Sequence, residues 1–316
     1  MDTNTAAKLA LLTMTTAAFA CGEDIDSPSP ELESLEIVDN LKLAGYPAGE
    51  IDLQPDGTVY VGLDAEVSLE ASREMVGLDP STGEADSEGF RQYRTTNTIA
   101  PSLNKICVDG SLYTGAMSSA LTVAISKLNA LDLSFSVQRT AGTQAGCNAY
   151  ITAKLQAGYG GLAGFPSLGK PYSQILVGTS IPSYYGTTVT AHVILHELGH
   201  CLGLRHSDYY DRTISCGAGG GSEAVAPYGA HHIPGTPSTA VMNGSVMNSC
   251  YNAGSNGLFS SGDVTALETV YPDLSCAEDC DDEYDDCQVD FCYWDYNAYM
   301  CNEGCNEDYL ECLSDC

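Results

Sequence analysis

The chain has 316 residues, 44% of them hydrophobic, which suffices for one domain with a packed core plus appendages. It carries 42 Asp and Glu against 12 Lys and Arg, a formal net charge of -30 that repels nucleic acid and anionic lipid surfaces, so neither is expected as a partner. No basic residue follows Arg212, which leaves the last third uniformly acidic.

The first twenty residues, "MDTNTAAKLALLTMTTAAFA", hold one lysine, an apolar run too short for a membrane span and the small-residue triplet Ala18-Phe19-Ala20. They read as an export signal. Two kinds of processing fit: cleavage after Ala20, or a bacterial lipoprotein with a lipid anchor at Cys21. Fourteen cysteines suit an oxidising compartment, so the expected location is secreted or in the cell envelope. "CGEDIDSPSPE" is an acidic, proline-rich linker. Leu32 to Ala44 has helical apolar spacing, and "GYPAGEIDLQPDGTVYVGLDAEVSLEASREM" reads as turns, short alternating strands and another helix, a small N-terminal module of its own. A second linker, "STGEADSEG", spans Ser81 to Gly89 and ends the 21–89 region.

The main body, 90–274, opens with "RQYRTTN". From Asn104 the predicted order is strand ("KICVDG"), helix (Tyr113 to Leu131), strand ("LSFSVQ"), strand ("AYITAKL"), a glycine-rich loop, strand ("QILVG") and a helix, which is α/β order. The loop "AGYGGLAGFPSLG" lacks the lysine followed by Ser or Thr of a phosphate loop and opens no helix, so it is taken as irregular chain beside a cleft.

The helix that follows, "TAHVILHELGHCLGLRHSD", carries the chemistry. A step of roughly 100° per residue sets His196 and His200 on one face, one turn apart, with Glu197 toward them. Ile194, Leu195, Leu198, Cys201 and Leu202 fall on the opposite arc, as an amphipathic helix requires. Gly203 sits where a helix ends in a left-handed residue, after which His206 can swing back. Three neutral imidazoles leave tetrahedral Zn²⁺ one open position, the arrangement of a catalytic rather than a structural site. The extended spacing of HELGHCLGLRH is that of metzincins, whereas HExxH alone also fits a plain core helix. His192, His231 and His232 are spare, and hydrogen-bonded or solvent-facing roles fit them better than a second metal. Zinc-bound water has a pKa near about 7, and Glu197 is placed to take its proton during attack on a peptide carbonyl. Either "AYITAKL" or "QILVG" would then form the rim strand that holds an extended substrate by backbone hydrogen bonds.

Further along, "GSVMNSC" offers Met247 for a Met-turn beneath the metal, with Met242 of "AVMNG" as its competitor. "SSGDVTALETVYP" predicts a last helix, N-capped by Ser261 and stopped by Pro272.

Together "HELGHCLGLRHSD", "RQYRTTN", "ICVDGS", "IPGTP", "SVMN" and "FSSGDVTALETVYP" resemble the dual-action HEIGH metallopeptidases, relatives of the metzincins, over roughly Tyr93 to Leu274. The resemblance implies a metzincin-like α/β (α+β) zincin, a mixed twisted sheet with an active-site helix. It also implies hydrolysis of peptide bonds in protein or peptide substrates, with His196, His200 and His206 as zinc ligands and Glu197 as base. Ser249 stands where astacins have a metal-proximal tyrosine, two residues after the Met-turn methionine, and Tyr251 could replace it only with a longer loop. Asp64, after a glycine-containing turn in "VGLDAE", loosely resembles the aspartate switch of astacin zymogens, which makes 21–89 a pro-segment; a surface aspartate on a plain docking module is the alternative. The rival for the whole chain is an envelope binding or scaffold protein with structural zinc and a cysteine-rich contact module, which needs a fourth protein ligand or the loss of Glu197; Glu197 is present, and Cys201 and Asp208 are near in sequence.

The tail, 275–316, has eight cysteines and no basic residue. Cys276, Cys280 and Cys287 make one helical stripe and Cys301, Cys305, Cys312 and Cys316 another. Four nested disulfides are expected in an acidic helical hairpin, pairing 276 with 316, 280 with 312, 287 with 305 and 292 with 301.

Overall fold

Ser29 starts the first helix: its side chain accepts the Leu32 N–H, and Pro30 occupies the first turn, where a missing N–H costs nothing. The computed structural model describes residues 29–77, 92–142, 146–223, 230–237 and 239–273. The export signal, Cys21, the 81–89 linker and the cysteine-rich hairpin lie outside those residues.

Helix α1 (Pro30–Leu43) packs on α2 (Leu69–Gly77), and between them run β1 (Ile51–Leu53), β2 (Val59–Val61) and β3 (Ala65–Glu66) as an antiparallel meander. The body follows with β4 (Tyr93–Arg94), β5 (Lys105–Asp109), α3 (Gly115–Leu128), β6 (Ser136–Thr140), β7 (Ala149–Gln156), β8 (Gly161–Gly164), β9 (Gln174–Gly178) and α4 (Ile181–Cys201). Short β10 (Leu204–Arg205), α5 (Thr213–Cys216) and β11 (His231–His232) come next, and α6 (Ser261–Val270) is the last described helix.

The main sheet has eight strands in the order β1-β2-β3-β8-β9-β7-β5-β6. Strands β5, β6, β7 and β9 are mutually parallel, as expected of the α/β order, while β8 runs antiparallel to β9. Helix α4 packs on α3, β8 and β9, burying Val189, Val193, Ile194, Leu198 and Cys201 in the principal core. Disulfides join Cys107 to Cys147 and Cys216 to Cys250, and Cys201 is a buried free thiol.

Four expectations need correction. The N-terminal module is not separate: β3 pairs in parallel with β8, Ala65 opposite Ala163 and Glu66 opposite Gly164, so its meander extends the body's sheet. The glycine-rich loop is not irregular throughout, because it contains β8. Both strands expected at the cleft rim lie inside the body's own part of the sheet, β7 between β5 and β9 and β9 between β7 and β8; β8 is the body's outermost strand on that side, and the module's β3 pairs along it. Finally, Ser260 rather than Ser261 caps α6, in a reciprocal capping box with Asp263.

The seam between module and body is well packed. Phe165, which follows β8, is buried within the module's own core of Leu41, Val59, Val61, Ala65 and Ala71. Its ring also stands edge-on to His200 at 5.7 Å. Replacement of Phe165 by Ala is expected to cost about 3–5 kcal/mol, the usual penalty for an emptied aromatic site. Denaturant unfolding of the full chain measures it, and a loss below about 1 kcal/mol would contradict the packing.

Candidate metal centre

The kink at Gly186 (φ 82) divides α4, and the long second piece carries the histidine motif. Gly203 ends that segment at φ 89; a Cβ there would stand 2.7 Å from the Asn97 carbonyl, so glycine is required both by conformation and by space. The chain then reverses, and His206 returns to the helix face.

All three imidazoles are fixed through Nδ1, His196 to the Val246 carbonyl at 2.9 Å, His200 to the Leu204 carbonyl at 2.8 Å and His206 to the Glu223 carboxylate. Each acceptor holds a proton on Nδ1 and leaves the Nε2 lone pair free, the usual way of orienting a ligating histidine. The three Nε2 atoms then converge at mutual distances of 3.1, 3.2 and 3.3 Å. A tetrahedron with ligands 2.0–2.1 Å from its centre has edges of about 3.3 Å, so the donor set fits zinc. Asp64 completes it, with Oδ2 at 3.4 Å from His196 Nε2 and 3.2 Å from His206 Nε2, and Oδ1 at 3.6 Å from His200 Nε2. These four residues form a cluster able to hold a metal ion.

The turn that delivers Asp64 is unusual. Gly62 has φ 65 and Leu63, a non-glycine residue with its side chain in solvent, has φ 86. Such a conformation is rare for leucine and persists where surrounding contacts impose it. Glu50 pairs with Arg212 at 2.7 Å, and Gly62 lies so close to Glu223 that a Cβ would stand 3.0 Å from its carboxylate.

Glu197 is buried beside the cluster, and its Oε2 has no hydrogen-bond partner among the described residues. Burial pushes its carboxyl well above the ordinary range, the Asp64 charge adds to this and His206 opposes it. Burial likewise lowers His200 to about 4. On His206 burial acts the same way, but the Asp64 and Glu223 carboxylates outweigh it and raise that imidazole well above its usual value. Glu223 is held down to about 2: burial would raise it, but His206 and Arg205 prevail. Arg205 donates to Glu223 at 2.8 Å and lies over the Tyr46 ring at 4.5 Å.

Strand β8 meets Glu197 at Gly161, where a Cβ would stand 1.9 Å from Oε1. Gly161→Ala is therefore expected to displace the carboxylate and lower activity at least about tenfold while zinc content stays constant. Metal analysis beside peptide hydrolysis checks this; equal activity would mean that Glu197 has room to move without consequence.

Beneath the histidines, Met247 is fully buried and its sulfur would meet a Cβ at Gly199 at 2.5 Å, whereas Met242 is 52% exposed. The turn is held by Asp263, which accepts from Ser245 Oγ at 2.5 Å and the Val246 N–H at 3.0 Å, so the capping carboxylate of α6 also fixes the methionine loop. Ser249 binds Asp208 at 2.8 Å, outside the cluster, and Cys201 lies 3.6 Å from the Gln174 carbonyl. Tyr251 accepts the Gly160 N–H at 3.1 Å and is not in the metal cluster. His192 is buried outside the cluster and held down to about 4 by burial, then by His196, while His231 and His232 lie on β11. Glu223 and Gly161 had no local sequence signal; Arg205, a cation inside an apolar motif, was the one hint of a buried carboxylate partner.

Among curated proteins none matches the chain. Among solved structures, myroilysin has 17% identity with a TM-score of 0.36, the alignment covering 57% of this chain and 98% of that one. High choriolytic enzyme 1, a hatching enzyme zinc-protease from Oryzias latipes (medaka), has 16% identity with a TM-score of 0.35, over 55% and 92% of the two chains. Residues 59–271, more than half of the sequence, match the dual-action HEIGH metallo-peptidase family; the match begins in β2 and includes Asp64. The chain thus belongs to the dual-action HEIGH metallopeptidases and is a metal-dependent hydrolase of peptide bonds.

Proposed function

We propose that this chain is an exported zinc endopeptidase whose N-terminal module holds it latent. The convergence of three Nε2 atoms, each with its Nδ1 engaged, beside the unpartnered Oε2 of Glu197 carries the reading. Zinc supplies Lewis-acid activation of water and of the substrate carbonyl when bound. Glu197 takes a proton from the attacking water at its unpartnered oxygen and returns it to the leaving amine. Val246, Leu204 and Glu223 keep the imidazoles oriented, and Met247 forms the apolar floor. Protein or peptide substrates lie along β8, where backbone pairing demands little of sequence.

Latency follows from Asp64 in the fourth position and from β3 on the outer edge of β8. A site with four protein ligands is closed. That same observation supports the rival reading, a binding or scaffold protein with structural zinc. The discriminating experiment is zinc content beside hydrolysis of an unstructured protein, for the full chain and for Asp64→Ala. An endopeptidase gains activity and keeps its metal; a structural site loses metal and gains nothing.

The two disulfides among the described residues suit export, whether the protein is free or lipid-anchored at Cys21. No helix among the described residues is long and apolar enough to cross a membrane.

A further inference from the structure

Ahead of the break at Gly186, the first piece of α4 carries Tyr184 and Tyr185, whose rings meet edge-on at 4.7 Å. Tyr159, in the turn that leads into β8, packs edge-on against both, at 5.7 and 6.2 Å. Tyr251 closes on Tyr185 at 5.5 Å. Tyr185 and Tyr251 rest on the principal core, but Tyr184 is 71% exposed and Tyr159 56%. Aromatic rings gathered together and still open to solvent are the composition of a binding surface.

The cluster is continuous with the cleft. Tyr251 Oη accepts the Gly160 N–H, and the next residue, Gly161, faces Glu197. Strand β3 reaches only Ala163 and Gly164, so the Gly161 end of the rim lies beyond its register. Tyr159 precedes Gly161 by two residues, in the bend from which the chain enters β8, so the ledge adjoins the end of the rim that faces the catalytic carboxylate.

Resting on the peptidase reading, we propose that these four tyrosines form a substrate subsite for a large apolar, preferably aromatic, side chain within three residues of the scissile bond. Because the ledge occupies one end of the rim, the preference falls on one side of the cut. Offset or edge-on stacking would hold the side chain.

The test uses the zinc-loaded Asp64→Ala full chain on a mixed peptide library, with cut sites mapped by mass spectrometry. One matched peptide pair, Phe against Ala at the enriched position, then supplies kcat/KM. Enrichment of Phe, Tyr, Leu or Met on one side supports the ledge. Tyr184→Ala and Tyr159→Ala should each lower the Phe-over-Ala ratio about three- to tenfold, chiefly through KM, and Tyr184→Phe should restore it. Both exchanged side chains are largely in solvent, so folding is preserved. Cutting with no one-sided preference, or a ratio unmoved by Tyr184→Ala, overturns the subsite alone. Absence of any cutting ends the endopeptidase reading and the subsite with it.

Discussion

Exchange of Glu197 for Ala, made in the Asp64→Ala chain, is expected to leave zinc bound at one equivalent and to lower peptide hydrolysis by about 10³ or more. A positioned general base contributes typically about 10²–10⁴, and here the same carboxylate also serves the leaving amine. None of the three imidazoles is held by Glu197: their Nδ1 partners are Val246, Leu204 and Glu223, so the metal has no reason to leave with it. His206→Ala provides the contrast. It removes one of three nitrogens and leaves Glu223 buried beside Arg205 without its imidazole, so metal and activity should fall together. Metal analysis with single-turnover hydrolysis distinguishes the two variants. Near-normal rates for Glu197→Ala would remove it as the base, and loss of zinc in that variant would make it structural.

Asp64→Ala is expected to raise activity of the full chain by about 10–100-fold. Asp64 is the cluster member that comes from the N-terminal module, and it sits within 3.2–3.6 Å of all three nitrogens. Removing it opens the fourth position while the three histidines retain the ion. Asp64→Asn keeps the side-chain volume but loses the anionic donor, so it should activate as well; activation by Ala alone would show that bulk, not charge, blocks the cleft. The rise should be incomplete, because β3 still occupies half of the rim, and Glu50→Gln, which weakens the pair with Arg212, should add to it. Hydrolysis of a fluorogenic peptide follows both. An Asp64→Ala chain that keeps its zinc but cuts no faster than the unaltered chain would refute the aspartate as the block.

What the sequence made legible was local. His196 and His200 meet because four residues complete a helical turn, and Gly203 announces the reversal because few other residues accept φ 89. The parallel order β5-α3-β6 and β9-α4 could likewise be read from apolar runs. Strand β8 escaped notice for a physical reason: "GLAG" has almost no side chains to alternate, and its strand character comes from pairing with β3 and β9. Pairing of β3 with β8 involves two residues on each side, joined across some hundred positions, which no periodicity encodes. Glu223 lies 17 residues beyond His206 in a glycine-rich stretch and becomes visible only when folded. Ser260 was a missed local signal, since serine followed three residues later by Asp263 is capping-box spacing.

Module and body remain one molecule through the chain between Gly77 and Gln92, and that connection has a kinetic consequence. In the latent form proposed above, Asp64 is an intramolecular ligand for as long as that connection is intact, at an effective concentration on the order of millimolar. Cutting it does not open the cleft; it changes docking from a first-order into a second-order event. Buried Phe165, the Glu50–Arg212 pair and the Asp64 cap would hold the severed module in place. On the proposed latency, activation after such a cut is expected to depend on dilution: a concentrated solution of nicked protein should stay largely shut, and the same protein spread into a large volume should become active as the released module fails to find its way back.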